Sequence, residues 1–517
     1  MNEGFRFAAL VVAVIGMLAT TAKADVPYDG RAGGTPSDLA DHERWMYAAT
    51  PERGNDLVNA QAMELHGVRG ASLVDAAGVD TAWRTTTGRA DVVIAVHDSG
   101  IEWDNLGAMR NLRRKAHLNL RELPTPRHDR PRSLEPGQDC KTYRRRNDAN
   151  GDGVVNVVDF SCDRRVQRSG AVRLKRGKAK GNGIDELLDP QDVLIAFSDN
   201  RDDDRNGYRD DIVGWDFLDD DNDPYDDVQY GHGTGEALDS TAEAGDAQRG
   251  AGTCPNCQFM PIRVGDSFVA DVNRFALGVR YATDNGASVV QEALGTLNNS
   301  RFAREAVDHA YRHGVTVIAS AADEAAQHHH WPASYPGVVL VNSVTKYDDT
   351  FTPIPRSYLQ FNGCTNFSSK LSVAIPSVSC SSDATGRASG MAGLLYSAAR
   401  DRGIALTPNE VRQLMETTAD DVDFAISEIS CEPVPLPTCT DPQLSGVYNS
   451  LVVSPLVESR RYPARQGFDQ FYGHGRVNMN AAVDQLAEGR VPPSVAITAP
   501  EWFAQIDPKQ PRVAVRA

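Results

Sequence analysis

The sequence predicts an α/β fold: a doubly wound, mostly parallel sheet with helices on both faces. Two observations carry this. Short β-branched runs at 91–97, 259–264, 288–294, 315–320 and 337–344 are apolar on both faces, as strands covered on both sides must be. Segments with helical spacing separate them, so the connections are helical crossovers rather than hairpins.

The elements follow in chain order. "MNEGFRFAALVVAVIGMLATTAKADV" reads as a secretory leader, with an apolar stretch from Phe7 to Ala19 and Ala22-Lys23-Ala24 as a small-x-small cleavage site before Asp25. That makes residues 1–24 a signal peptide and the rest a secreted protein, extracellular or periplasmic, with no membrane segment after the signal is removed. Residues 25–62 are polar and Gly-rich, a linker or short pro-segment. The main domain is expected over 63–490, interrupted at 105–190 by a basic, Pro-containing insertion. Within it, 272–286 places Phe275, Val279 and Ala282 on one helical face, and 301–314 groups Phe302, Ala306, His309 and Ala310 before Gly314 ends the helix. Two further helices are read at 387–402 and 408–419, the second with Pro408 at its first position after Thr407. Residues 491–517 open on Pro492 and Pro493 and read as the first strands of an incomplete β module, or a tail.

A formal net charge of -17 argues against a nucleic-acid partner. The 8 cysteines, in an exported chain, suggest disulfides. Nearest-neighbour pairing gives Cys140–Cys162, Cys254–Cys257, Cys364–Cys380 and Cys431–Cys439. The Cys254–Cys257 pair has no second such pair to complete a zinc site.

Two acidic loops have the oxygen spacing that calcium requires. "DANGDGVVNVVDF" places Asp148, Asn150, Asp152, Asn156 and Asp159 at loop positions 1, 3, 5, 9 and 12, with the Val154 carbonyl at position 7 and Gly153 making the turn. "DDDRNGYRDD" repeats the theme with Asp202, Asp204, Asn206, the Tyr208 carbonyl and Asp210. Hard oxygen donors favour structural Ca2+ and no catalytic metal is expected. Three adjacent histidines at 328–330 cannot readily face one ion and read as a solvated loop.

Asp98 ends one predicted strand, His232 sits between two glycines before a helix, and a serine-rich turn, "SVSCSSDATGRASG", precedes a strongly apolar helix. An Asp, a His and a Ser at strand and helix ends are the parts of a nucleophilic triad, in which Ser attacks, His removes its proton and Asp orients the imidazole.

These residues resemble the subtilisin-like serine proteases, the subtilases. Asp98-Ser99-Gly100 resembles their Asp motif and "GHGT" at 231–234 their His motif. "EALGT" at 292–296 looks like their substrate-binding strand, "VTVIASAADE" at 315–324 like their oxyanion strand, and "YGHGRVNMNAAV" at 472–483 like their terminal motif. The resemblance covers roughly 75–488 and implies a secreted, monomeric endopeptidase acting on protein or peptide substrates. In this register Ser382 is the nucleophile, His232 the general base and Asp98 the orienting carboxylate. Ser389, the competing choice, would lie inside the helix with no turn before it. Asp323 stands where the family has the Asn of the oxyanion hole, and Ala293, Leu294 and Gly295 would pair with extended substrate. The chain departs from the family pattern at Gly235-Glu236, Cys380, Ser381, Gly386, Arg387 and Asp323. These departures leave a rival reading, an inactive subtilase-fold binding or adhesion protein.

Overall fold

A computed structural model describes residues 77–169, 186–244, 250–267, 270–327, 329–345, 358, 360–422, 462–493, 497, 499–500 and 504–517. The leader, the 25–62 segment and the Cys431–Cys439 pair lie outside the described residues.

The centre is a sheet of β1 (Val93–Asp98), β2 (Trp215–Asp216), β3 (Gln258–Arg263), β4 (Val289–Glu292), β5 (Thr316–Ser320), β6 (Val338–Thr345), β7 (Gln360–Phe361) and β8 (Val373–Pro376). Its order is β2-β3-β1-β4-β5-β6-β7, with β8 also paired to β6. Among these pairings only β6–β7 is antiparallel. Because successive side chains on a strand face opposite sides, each strand feeds two cores. Ile94, Val289, Ile318 and Val339 face one core, while Val93, Ala95, Val290 and Val317 face the other.

Helices cover both sides, so the predicted fold class is the one observed. On one side lie α5 (Val272–Asp284), capped by the Asp271 side chain, and α6 (Arg301–Arg312), capped by Ser300. Helix α6 buries Ala303, Ala306, Val307 and Ala310, while Phe302, expected on the inner face, is 40% exposed. On the other side α7 (Ser381–Asp401) runs through the core, flanked by α8 (Pro408–Thr417), with its Thr407–Glu410 capping box, and α9 (Met479–Ala487). Earlier in the chain come α1 (Val79–Ala82), α2 (Leu106–Leu112), α3 (Pro190–Phe197) and α4 (His232–Thr241).

Two points differ from the sequence reading. Helix α7 begins at Ser381 rather than 387. Its first turn is polar because it faces a cleft, so hydrophobic periodicity marked only the part inside the core. The short strands β2, β7 and β8 were not anticipated, since each is too brief for a period-2 signal. At the C-terminus, the described residues of 491–517 form one isolated bridge, Ala499 with Arg516, and residues 504–517 are exposed.

Helix α7 lies close to α4 and to the chain at 253–254, and glycines make that possible. A Cβ on Gly386 would stand 2.8 Å from the Asp239 Cβ, and one on Gly390 1.9 Å from the Thr253 Oγ1 and 2.7 Å from the Ser240 carbonyl. Gly390→Ala should therefore destabilise the fold by about 1–3 kcal/mol through overpacking, seen as a lower urea midpoint at unchanged slope. Gly235→Ala, whose Cβ meets nothing within 4 Å, should be neutral or stabilising by roughly 0.5–1 kcal/mol because alanine suits a helix interior better than glycine.

Candidate active site

A cavity of about 960 Å³ opens beyond the carboxyl ends of β1, β4 and β5, and His232, Asp323, Ser382, Ala293, Leu294 and Gly295 all line it. The position is the one expected of a parallel sheet, whose sites form past its strand ends.

Asp98 is the last residue of β1 and is buried. Its Oδ1 accepts from the Ser99 N–H at 2.7 Å, and the His232 Nδ1 lies 2.8 and 2.9 Å from its two oxygens. His232 opens α4 directly after Gly231. Gly233 lets this helix approach β1, since a Cβ there would lie 2.5 Å from the Gly100 carbonyl oxygen and 3.0 Å from the Asp98 Cβ. Two buried groups fix the pair, Ser99 of the Asp motif and Asp226, which the sequence did not single out. Ser99 Oγ donates to Asp226 Oδ2 at 3.0 Å and accepts from the Gly233 N–H at 3.1 Å, while Asp226 Oδ2 also accepts from the Gly231 N–H at 2.7 Å. The Tyr230 ring stacks on the imidazole at 5.4 Å. Burial favours neutral His232, but the nearby charge of Asp98, its hydrogen bond, and the charges of Asp323 and Asp226 outweigh it and hold the imidazole above its usual pKa.

Ser382 is the second residue of α7, so its N–H belongs to the first turn and has no intrahelical acceptor. Its Oγ lies 3.5 Å from the Ala293 carbonyl, which places it against the segment expected to pair with substrate. The neighbouring hydroxyls are occupied elsewhere. Ser381 is fully buried and its N–H and Oγ donate to Asp323 Oδ1 at 2.8 and 2.5 Å, while Ser389 donates to the Thr385 carbonyl inside the helix. Asp323 follows the left-handed Ala322 (φ 70°), a turn that brings the carboxyl back over the end of β5. Burial raises the Asp323 pKa above the usual carboxylate value; the two Ser381 hydrogen bonds and the nearby His232 oppose the shift.

His330, part of the triple read as a solvated loop, is instead buried against the cleft. A Cβ on Gly295 would lie 1.9 Å from its ring, so Gly295 is the residue that leaves it room. Nothing in the local sequence signals this contact, which joins two segments far apart in the chain.

Of the acidic loops, the first is closed by Asp159, whose oxygens accept from the N–H groups of Ala149 (2.6 Å), Asn150 (3.2 Å) and Asn156 (3.0 Å). Burial raises its pKa to about 6. Asn156 caps the following turn through Val158 N–H. Asp148, Asn150 and Asp152 remain on the exposed half of the loop, with one oxygen each accepting from a loop N–H. In the second loop Asp210 turns back to accept from Asp199 and Asn200 N–H at 2.8 and 2.7 Å. A residue from the insertion, Glu122, brings its carboxylate within 4.8 Å of those of Asp202 and Asp204. The expected disulfides Cys140–Cys162, Cys254–Cys257 and Cys364–Cys380 are formed. Among the described residues no helix is long and apolar enough to cross a membrane.

Residues 89–475 match the subtilase family. The chain belongs to that family. Thermitase of Thermoactinomyces vulgaris is 30% identical over 223 residues, 41% of this chain and 74% of thermitase. The thermophilic serine proteinase of Bacillus sp. (strain AK1) is 30% identical over 229 residues, 41% of this chain and 52% of that protein. Fervidolysin of Fervidobacterium pennivorans is 34% identical over 135 residues, 24% of this chain and 19% of fervidolysin. The chain thus spans about half the length of the Bacillus relative and a fifth of fervidolysin. For this subtilase, the matched stretch contains Asp98, His232, Asp323 and Ser382 on the elements described above.

Proposed function

We propose that this subtilase is a secreted serine endopeptidase that cleaves protein or peptide substrates through Asp98, His232 and Ser382 and an acyl-enzyme. The observation that carries the reading is the Asp98–His232 pair, with both carboxylate oxygens within 2.9 Å of Nδ1, opening on the cavity that Ser382 also lines. Bonding at Nδ1 leaves Nε2 to take the serine proton, and Asp98 stabilises the imidazolium that results. Substrate lies extended along Ala293–Gly295, and the attacked carbonyl oxygen is received by the Ser382 N–H and by Asp323. Leader and disulfides fit an extracellular or periplasmic protein. Fluorophosphonate labelling tests the assignment. Ser382→Ala should abolish labelling and peptidase activity, whereas Ser389→Ala and Ser381→Ala should keep most of both. Labelling that persists in Ser382→Ala would overturn it, and an unlabelled wild type would favour the inactive binding protein.

Asp323 makes the chemistry pH-sensitive. An ionised carboxylate beside the forming oxyanion raises the barrier, so Asp323 must donate as the neutral acid. His232 must be neutral as well. Ground-state attraction instead favours imidazolium with carboxylate, so the two groups titrate as one coupled system. Activity should form a bell in pH, lost on the acid side by protonation of His232 and on the alkaline side by ionisation of Asp323. Asp323→Asn keeps a donor but removes both the titration and the negative neighbour of His232. Its kcat/KM profile should lose the alkaline limb and keep an acid limb set by His232 alone, at the same or a higher pH than in the wild type. Superimposable wild-type and variant profiles would exclude Asp323 from the oxyanion site.

Calcium is proposed as a structural cofactor. Asp148, Asn150, Asp152 and the Val154 carbonyl supply oxygens of the first loop, with Asn156 and Asp159 closing it. In the second, Asp202, Asp204, Asn206 and the Tyr208 carbonyl are joined by Glu122, while Asp210 braces the backbone. A ligand that binds only the folded state adds about 2.7 kcal/mol at a hundredfold excess over its Kd. EDTA should lower the melting temperature, and Asp148→Ala with Asp152→Ala, or Glu122→Gln, should each remove part of that shift. No shift with EDTA would exclude a stabilising cation.

A further inference from the structure

The cleft wall between α4 and α7 carries a buried ion cluster at positions where the chain departs from its family. Arg387, one turn beyond Asp383 on α7, is 2% exposed. Its guanidinium lies 2.7 Å from Asp383 Oδ1 through Nε and 2.8 Å from Asp239 Oδ1 through a terminal nitrogen. Asp239 belongs to α4, the helix that His232 opens; Asp383 directly follows Ser382. The second oxygen of Asp383 accepts from the N–H of Val378 at 2.7 Å and of Ser379 at 3.4 Å. One guanidinium therefore joins three things: the helix carrying Ser382, the helix carrying His232, and the segment that leads into the Ser382 turn. The Arg387 backbone carbonyl accepts from Thr253 Oγ1 at 2.8 Å.

We propose that Arg387 is a positioning residue, fixing His232 relative to Ser382 through Asp239 and Asp383. The inference rests on the triad assigned above. A planar fork that bonds two carboxylates in fixed directions sets distances as well as charge, which an ammonium on a flexible stem does not. Gly386 supports the same link, because only a residue without a side chain lets α7 approach Asp239 and Glu236 closely enough for it, a Cβ there lying 2.8 Å from the Asp239 Cβ and 2.9 Å from Glu236 Oε2.

The charges around the link supply a readout that a packing role would not move. Asp383 faces Arg387 on its own helix and Asp239 and Glu236 on α4; Gln291 of β4, which donates to Glu236 Oε2 at 2.9 Å, is uncharged. Burial penalises the Asp383 carboxylate, but Arg387 reverses this and holds it below the usual range. Glu236 is pushed well above the usual range, by burial first and then by Asp239, Asp98 and Asp383. Without the guanidinium, Asp383, Asp239 and Glu236 face one another with no cation between them. Asp383 then takes up a proton at higher pH and weakens its hold on the Val378 N–H.

The test compares kcat, KM and pH profiles of the full chain on one peptide substrate. Arg387→Met should lower kcat at least tenfold with KM changed less than about threefold, and should move the acid limb of kcat to higher pH. Arg387→Lys should restore the acid limb more fully than kcat, since it returns the charge but not the fork. Asp239→Asn, on the more exposed side of the link, should lower kcat by a smaller factor, and its effect should not add to that of Arg387→Met. If Arg387→Met fails to fold, Arg387→Lys and Asp239→Asn decide the matter. Variants with wild-type kcat and acid limb would overturn the positioning role. A wild type that neither labels with fluorophosphonate nor cleaves would instead overturn the triad assignment, so the two failures are distinguishable.

Discussion

The close approach of α7 to α4 is the constraint on which the site depends. Ser382 and His232 come from the first turns of two different helices, and neither helix is anchored to the other by the chain. What sets their spacing is a buried contact in which Gly386 and Gly390 remove the side chains that would hold the helices apart. Helix α7 is buried along most of its length, so its position is fixed by the core beneath the sheet. Ser382 inherits that rigidity at the end of the helix that borders the cleft.

Around this contact the molecule concentrates carboxyl groups with few cations. Asp98, Asp226, Asp323, Glu236, Asp239 and Asp383 lie near or beside the cleft, and Arg387 joins two of them. Ionising all of them in a water-poor site is unfavourable, which is why Glu236 and Asp323 are displaced toward the neutral acid. Protonated carboxyls can donate hydrogen bonds where ionised ones cannot, so burial favours the form of each group that can donate.

The acidic loops follow a different logic. Asp159 and Asp210, each late in its loop, accept two or more backbone N–H groups and brace the turn. The earlier residues of each loop keep oxygens at the surface. In the second loop the insertion contributes Glu122, so a segment that interrupts the sheet rhythm becomes part of the loop's polar shell.

The sequence by itself determined the α/β class, because a strand apolar on both faces must be covered on both faces. It also located Asp98, His232 and Asp323, since each stands at an element boundary marked by glycine or by the end of an apolar run, and it identified three disulfides from neighbouring cysteines. Tertiary structure decided what local pattern does not encode. Helix α7 starts at Ser381 because its polar first turn is stabilised by Asp323 and by the cleft rather than by an apolar stripe. His330 is buried because Gly295, on another strand end, leaves a space of its shape. Arg387, read as a departure from a motif, acquires its Asp239 partner only when α4 and α7 meet. Such contacts join residues separated by tens of positions or, for Asp239 and Arg387, by more than a hundred, and their energies depend on distances that one-dimensional spacing does not carry.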